Sequence, residues 1–513
     1  MGSSHNRMST TSNQEVSHHV ASPIQTSSAT VAIADSSKRK SKQQVAILVT
    51  HGMGQQVPFE SIDTVTNGLI AAAQRHGATV SEVNARLIQD KEKKKSQRAE
   101  FTMRDVHGQD IDVHVYEGYW APITEGNVTI RDVLSFLYDA AINGIKNSSL
   151  GFSRWIFDRT VPFETQYIAG IQLAIALTTL LSLIALNIAT TIVSGSKFLG
   201  ADTSSQLSET QFTLLTNIVG TYLVFTIAYG FPLWLLVCLR KYIKQPSLHP
   251  LWRIATYAWD KIMWVWLLTT IFIGPLLGWA YFSQEQLSEL PLLNLLSYWF
   301  IIWPLLAAVS WKIRGVLVQY MGDVAVYVDA HKVDRFSELR KQIKDRVFEQ
   351  AKIIYGNQDY KHVALIGHSL GSVVTYDTLN ALLNFDDLNP HEQMNVANRT
   401  KLLLTFGSPL DKTAFIFASH VSSKRDTRET LAATVQPLIQ NYKKFRNFRW
   451  INIYAKRDIV SGRLDFYDDK DNDDCTPARA VDNFIDEDAL IPLASHNEYW
   501  QNPLLFDKLY THL

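Results

Sequence analysis

One serine stands in a setting that favours an activated nucleophile. Ser369 is the centre of Gly367-His368-Ser369-Leu370-Gly371, a G-x-S-x-G pattern. The apolar run 362–366 precedes it and the helical run 372–383 follows it. Gly367 and Gly371 permit a turn so tight that the serine hydroxyl stands at the carboxyl edge of a sheet, over the start of a helix. Such a hydroxyl can attack a carbonyl carbon once a base removes its proton.

Two other patterns that could bind a ligand have little support. The acidic run 468–474 has carboxylates at alternate positions, but Asp474 and Ala480 stand where a calcium loop needs Gly and Glu. With 2 Cys, the chain cannot form a disulfide framework or a cysteine-rich metal site. Its 49 Lys and Arg balance 49 Asp and Glu, which excludes a globally basic nucleic-acid binder. We therefore expect no metal, no organic cofactor and no nucleic-acid partner.

The elements that would position Ser369 alternate between strands and helices. Apolar, β-branched runs predict strands at 45–50, 111–116, 362–366, 401–406 and 450–455, and alternating runs predict two more near 83–88 and 100–104. Helical periodicity predicts helices at 60–75, 336–351 and 372–383. Strands that alternate with helices imply an α/β fold with a doubly wound, mostly parallel sheet.

The chain resembles the α/β-hydrolase superfamily, in particular its serine esterases and lipases. The resemblance covers 44–120 and 315–513, and it implies a triad in the chain order Ser, Asp, His. In that order Ser369 is the nucleophile. The resemblance makes Asp458, which follows the strand at 450–455, the acid that orients the base. It makes His496 the base that takes the serine proton and returns it to the leaving group.

Rival residues exist for both partners of the serine. Asp411 follows the strand at 401–406, where some lipases carry the acid. His420 precedes Asp458 and His512 lies nearer the chain end. Position within the resembled fold favours Asp458 over Asp411, and chain order favours His496 over both rival histidines.

The resemblance also implies an oxyanion hole made of two backbone N–H groups. Leu370, directly after the nucleophile, would supply one of them. The loop after the first strand, His51-Gly52-Met53-Gly54, would supply the other from Met53. A phosphate-binding loop is excluded at this position because no Lys-Ser or Lys-Thr pair follows the glycines.

The middle of the chain contains four long apolar runs without a charged residue. A bilayer-spanning helix needs about 20 apolar residues. Four transmembrane helices are therefore predicted, at about 167–195, 211–239, 262–283 and 290–311. Lys and Arg concentrate in the loops on one side of these runs, which would place both chain ends in the cytoplasm.

The predicted organisation has four parts. They are a disordered polar tail at 1–43, an N-terminal part of the hydrolase domain at 44–160, the transmembrane insertion at 161–314 and a C-terminal part of the hydrolase domain at 315–513. We expect a multi-pass integral membrane protein whose catalytic domain faces the cytoplasm and whose partners are a lipid bilayer and an ester or lipid substrate. Nothing in the sequence indicates an oligomeric state.

The expected function is that of a membrane-anchored serine hydrolase that cleaves carboxylic esters through an acyl-enzyme. Tethering to a membrane would favour a lipid or acyl ester as the substrate. Two alternatives stay open. A thioesterase or amidase would use the same triad, and a non-catalytic membrane scaffold or transport-associated protein could retain a degenerate hydrolase fold.

Overall fold

In a computed structural model, a nine-stranded sheet lies between two layers of helices. Apart from a few isolated positions between 127 and 273, the structure describes residues 43–53, 56–89, 95–125, 152–156, 159–163, 324–327, 334–413, 448–458, 460–464, 481–489 and 495–513. The polar tail predicted at 1–43 lies outside the described residues except for its last residue.

The strands form one large sheet and one separate hairpin. They are β1 (Gln43–Thr50), β2 (Thr79–Val80), β3 (Asn84–Gln89), β4 (Lys95–Arg104), β5 (Asp110–Gly118), β6 (Phe152–Ile156), β7 (Arg159–Phe163), β8 (Tyr360–His368), β9 (Thr400–Phe406), β10 (Arg449–Tyr454) and β11 (Asp482–Ile485). The order in the large sheet is β11-β10-β9-β8-β1-β5-β4-β2, with β3 beside β4. The six strands from β11 to β5 are parallel, and β4, β2 and β3 form an antiparallel edge.

The helices cover both faces of the sheet. They are α1 (Glu60–Arg75), α2 (Ala121–Thr124), α3 (Asp334–Gly356), α4 (Leu370–Leu388), α5 (Val396–Arg399), α6 (Ser495–Glu498) and α7 (Pro503–Tyr510). Helices α1 and α7 pack on one face and α3 and α4 on the other. β1 shows why, because its side chains alternate between the two cores: Val45, Ile47 and Val49 join the first, and Ala46 and Leu48 join the second.

The parallel register brings several strand ends to one edge. Thr50 at the end of β1 pairs with Gly367 in β8 and with Gly118 in β5. Gly367 in turn pairs with Thr405 in β9. Ligand sites in such sheets lie outside the carboxyl ends of the strands. The loops after β1, β8, β9 and β10 are therefore placed to contribute side chains to one site.

The described residues form an α/β architecture with a mostly parallel sheet, but they do not support the rest of the predicted fold class. Within the described part of the chain, no helix is both long and apolar enough to cross a membrane. This finding contradicts the predicted four-helix transmembrane insertion and the predicted multi-pass membrane localisation. The predicted spans themselves, at about 167–195, 211–239, 262–283 and 290–311, lie outside the described residues apart from isolated positions.

Helix α4 illustrates the physical reason for this correction. Its first 14 residues, 370–383, contain a single charged residue, Asp377, and nearly all of them are buried. The helix nonetheless packs in the core between the sheet and α3. A helix that is apolar on all sides can be a protein core as well as a bilayer span, so a count of charges does not separate the two.

Candidate active site

The candidate nucleophile occupies a strained turn between β8 and α4. Ser369 has φ 53° and ψ −130°, and its N–H donates to the carbonyl oxygen of Phe406 at 3.0 Å. A positive φ is unfavourable for a residue with a Cβ, so neighbouring groups must hold it. The hydroxyl of Ser372, in the first turn of α4, donates to the Ser369 carbonyl oxygen at 2.5 Å. The turn is therefore fixed from both the sheet and the helix.

Three glycines let the surrounding backbone close on this turn. A Cβ on Gly367 would collide with the backbone of α4, and one on Gly371 would collide with carbonyl oxygens at the end of β1. A Cβ on Gly52 would lie 2.8 Å from the Cβ of Ser369. Because real side chains do not approach so closely, only glycine lets the loop after β1 pass directly against the nucleophile.

His496 bridges the serine and an acid. The Ser369 hydroxyl lies 2.8 Å from His496 Nε2, and His496 Nδ1 lies 2.9 Å from Asp458 Oδ2. Ser369 follows β8, Asp458 follows β10 and His496 belongs to α6. Their exposed fractions are 1%, 6% and 7%. This arrangement can move the serine proton to Nε2 while the carboxylate holds Nδ1–H in place.

Asp458 has hydrogen-bond donors on both carboxylate oxygens. Oδ2 accepts from His496 and, at 2.8 Å, from the Tyr499 hydroxyl, while Oδ1 accepts the N–H of Val460 at 2.8 Å. Burial by itself raises the pKa of Asp458, but hydrogen bonds from His496, Ser461 and Val460 outweigh burial and leave this pKa well below its usual value. The carboxyl group is therefore ionised at neutral pH and can stabilise an imidazolium.

Two amide side chains, one buried and one half-buried, fix the loop that carries the acid. Asn452, in β10, donates through Nδ2 to the carbonyl oxygen of Gly462 at 3.0 Å and to Asn483 Oδ1 at 2.9 Å. Asn483, in β11, also accepts the N–H of Leu464 at 2.9 Å. Because both strands belong to the sheet, the position of Asp458 is tied to the same rigid scaffold as the nucleophile.

His368 connects the nucleophile turn to the base. Its Nε2–H donates to the backbone carbonyl oxygen of His496 at 2.9 Å, and its ring stacks on Phe406 with the centroids 4.9 Å apart. Burial, with a smaller effect of the nearby His496, lowers the pKa of His368 to about 3. The ring is therefore neutral at neutral pH, and its contribution is to hold the His496 backbone beside Ser369.

His51 shapes the loop that passes over the nucleophile. Its Nδ1–H donates to the Gly52 carbonyl oxygen at 2.8 Å, and its Nε2 accepts the backbone N–H of Trp120 at 3.0 Å. The ring also stacks on Trp120 with a centroid distance of 4.8 Å. Burial lowers the pKa of His51 to about 4, and the bond to Gly52 opposes this only in part. The neutral ring therefore fastens the loop after β1 to the end of β5.

Of the two residues predicted to form the oxyanion hole, Leu370 directly follows Ser369, and Met53 follows the glycine that packs against Ser369. Leu370 is the first residue of α4, where helix N–H groups have no acceptor within the helix. Met53 directly follows Gly52 and is 5% exposed. Both N–H assignments stay predictions.

The acid that contacts His496 is Asp458. The rival acid Asp411 is buried in the helical residues 410–413 that follow β9, and the ring of the rival base His512 contacts the backbone of α7. The third rival, His420, lies outside the described residues. The structure thus brings Ser369, Asp458 and His496 together, as the predicted triad requires.

Tyr499, which contacts the candidate triad, has no role in the sequence-based predictions. Tyr499 contacts Asp458 and lies three residues after His496, where the chain turns from α6 into a 3-10 helix. Residues at this spacing share one side of a helical turn. A tyrosine in a buried segment usually finds a partner for its hydroxyl. The spacing from His496 therefore indicates that Tyr499 lies near the base, but it does not indicate that the hydroxyl contacts Asp458.

Among the residues that the structure describes, no group of three or more His, Cys, Asp or Glu side chains could hold a metal ion. The acidic run 468–474 lies outside them. That the site works without a metal or cofactor stays a prediction.

In comparisons with family models, with curated proteins and with solved structures, nothing matches the chain. No family or homologue evidence supports the predicted relation to the α/β-hydrolase superfamily. That prediction, including its lipase-like form with a membrane insertion, is therefore corrected. The physical reason is that G-x-S-x-G is a short pattern and that one fold hosts many functions. What can be argued further rests on the local geometry of Ser369, His496 and Asp458.

Proposed function

We propose that the protein is a serine hydrolase that cleaves carboxylic esters through an acyl-enzyme on Ser369. The observation that carries the proposal is the hydrogen-bond chain from Ser369 Oγ through the ring of His496 to Asp458 Oδ2, with distances of 2.8 Å and 2.9 Å. It supports acyl transfer because a nucleophile, a base within hydrogen-bond reach and a group that orients the base are the parts this chemistry needs.

The reaction follows from these contacts in two halves. Ser369 Oγ bonds to the ester carbonyl carbon while His496 Nε2 takes the hydroxyl proton. The carbonyl oxygen becomes an oxyanion, for which the N–H groups of Met53 and Leu370 are the proposed donors. The intermediate collapses as the carbon–oxygen bond to the leaving group breaks, and Nε2 passes its proton to the departing alcohol. Water then repeats the sequence on the acyl-enzyme and releases the acid.

The substrate proposal is limited to the ester bond. The expected preference for lipids rested on a membrane tether, and it falls with the corrected transmembrane insertion. Ser369 is 1% exposed, and the glycine loop after β1 passes against it. A substrate must therefore reach the hydroxyl past a close-fitting backbone, which favours a first screen with small acyl groups.

The test is labelling by a fluorophosphonate, which modifies activated serine nucleophiles, together with turnover of short p-nitrophenyl esters. We expect the wild-type chain to be labelled and the Ser369→Ala variant to be unlabelled. Ester turnover should fall by roughly a millionfold in Ser369→Ala. Ser96→Ala is the matched control because Ser96 is also buried but lies in β4, at the antiparallel edge of the sheet and outside the bridge made by His496. This variant should keep its labelling.

The opposite outcome is equally informative. A wild-type protein that unfolds cooperatively but shows neither labelling nor ester turnover would contradict the proposal. Labelling that survives in Ser369→Ala would place the nucleophile elsewhere. Thioester and amide substrates in the same screen would show whether the leaving group must be an alcohol.

A further inference from the structure

The acid of the candidate triad is contacted by a second side chain through the same oxygen that holds the base. Asp458 Oδ2 accepts from His496 Nδ1 at 2.9 Å and from the Tyr499 hydroxyl at 2.8 Å. A hydrogen bond to an ionised carboxylate is roughly twice as strong as one between neutral groups. The Tyr499 bond therefore acts directly on the atom that orients His496.

The position of this hydroxyl is itself fixed. Tyr499 Oη accepts the backbone N–H of Ala455 at 2.8 Å and lies 2.9 Å from Ser461 Oγ. The side chain is fully buried. Burial and the nearby charge of Asp458 raise the pKa of Tyr499 well above its usual value, so the hydroxyl keeps the proton that it donates. One phenol oxygen thus joins the end of β10, the acid loop and the segment that carries the base.

We propose that Tyr499 is a positioning residue of the triad, which holds Asp458 Oδ2 against the ring of His496 and draws negative charge away from that oxygen. The proposal rests on the proposed function for its role in catalysis. His496 and Tyr499 lie three residues apart, and both donate to Asp458 Oδ2. A displacement of this oxygen relative to His496 therefore breaks one of the two hydrogen bonds. His368 also restrains the base, through the His496 carbonyl oxygen.

The test is the variant Tyr499→Phe, which keeps the ring and its packing but removes the hydroxyl. Ester turnover, as kcat, should fall by about tenfold, as the loss of a bond to a charged group implies, with KM little changed. The acidic limb of the kcat/KM profile should move to higher pH by about one unit. The direction follows because a carboxylate that has lost one donor attracts the protonated imidazole of His496 more strongly.

A matched control separates positioning from general stability. Tyr355 is also fully buried, and its hydroxyl lies 2.6 Å from Thr400 Oγ1, in α3 and away from the triad. Tyr355→Phe removes a comparable buried hydrogen bond and should lower Tm while the pH profile stays in place. Titration of active sites with fluorophosphonate corrects both variants for the folded fraction.

The proposal is overturned if Tyr499→Phe, corrected in this way, keeps the wild-type kcat and the wild-type acidic limb. If the wild-type protein has no esterase activity, the proposed function fails but Tyr499 is still tested. The ring resonances of His496, identified by their loss in His496→Gln, are then followed through a pH titration by NMR. A midpoint that moves to higher pH in Tyr499→Phe supports the inference, and an unchanged midpoint contradicts it.

Discussion

The two ends of strand β8 carry buried clusters made from the same kinds of side chain. The amino-end cluster lies around Tyr360, whose hydroxyl is 2.7 Å from the Tyr116 hydroxyl and 2.6 Å from His114 Nδ1. Arg98 donates to both tyrosines, at 2.8 Å and 2.6 Å, and forms an ion pair with Glu100. The carboxyl-end cluster consists of Ser369, His496, Asp458, Tyr499 and His368.

Titration does not distinguish the two clusters. Burial, aided by the charge of Arg98, lowers the pKa of His114 to about 4, and burial lowers the pKa of His51, beside the carboxyl-end cluster, to about 4 as well. The difference lies in the backbone. His114 and Tyr360 belong to strands in which no described residue has a positive φ, whereas Ser369 has a positive φ and a glycine pressed against it. Strain and close backbone approach therefore mark the candidate site, and a perturbed pKa alone does not.

The largest contrast should come from neutralising one carboxylate in each cluster. Asp458→Asn should lower kcat by about four orders of magnitude, because an amide no longer selects the tautomer in which Nε2 is free to accept the serine proton. Glu100 lies in β4 and belongs to the amino-end cluster. Glu100→Gln should leave kcat near the wild-type value and should lower the free energy of unfolding through the weakened contact with Arg98. Ester turnover and urea unfolding of both variants measure the two effects.

Asp411→Asn tests the rival acid by the same assay. This carboxylate is buried in the helical residues 410–413 that follow β9, and we expect a change of only a few-fold in kcat. A larger loss in Asp411→Asn than in Asp458→Asn would contradict the triad. A large loss of kcat in Glu100→Gln would break the comparison, because it would make the amino-end cluster part of the catalytic machinery.

The strand–turn–helix around Ser369 shows what the sequence makes predictable. The run at 362–366 reads as a strand because it is short, apolar and bounded by turn residues, and β8 extends it to Tyr360–His368. The helix predicted at 372–383 is α4, which begins at Leu370. Local patterns therefore locate the turn at Ser369 and its supporting elements, with errors of a few residues at the ends.

Interactions between distant residues could not be predicted in the same way. Tyr499 meets Asp458 across 41 residues of chain and His368 meets His496 across 128, and no local pattern encodes either contact. The prediction of transmembrane helices from the apolar runs between 165 and 311 was wrong for a different reason. Hydropathy reports that a segment avoids water, and it does not report whether lipid or protein replaces the water.

Acid unfolding should show how alike the two clusters are. A histidine that titrates at about 4 when folded and at 6.5 when unfolded binds its proton only on unfolding between these pH values. The stability it contributes is present above pH 6.5 and is lost as the pH falls through 4, about 3 kcal/mol per histidine. Near pH 5, His114→Gln should reduce the slope of unfolding free energy against pH by about 1.4 kcal/mol per pH unit.

His107→Gln is the matched control for this measurement, since His107 is exposed in the turn between β4 and β5. It gives the effect of replacing an exposed histidine, against which the change in His114→Gln is measured. An unchanged slope in His114→Gln would mean that the amino-end cluster admits a proton while folded. The clusters would then differ in titration as well as in backbone strain.

The smallest effect should come from Tyr360→Phe, which removes the hydroxyl that joins Arg98, Tyr116 and His114. The loss leaves buried donors without an acceptor, so the free energy of unfolding should fall by about 2 kcal/mol, measured by chemical denaturation. Ester turnover and its pH profile should stay at wild-type values, because the intervening strand residues of β8 separate Tyr360 from the turn at Ser369. A shifted acidic limb in Tyr360→Phe would show that β8 transmits a change in one cluster to the other, and the two ends would have to be treated as one polar network.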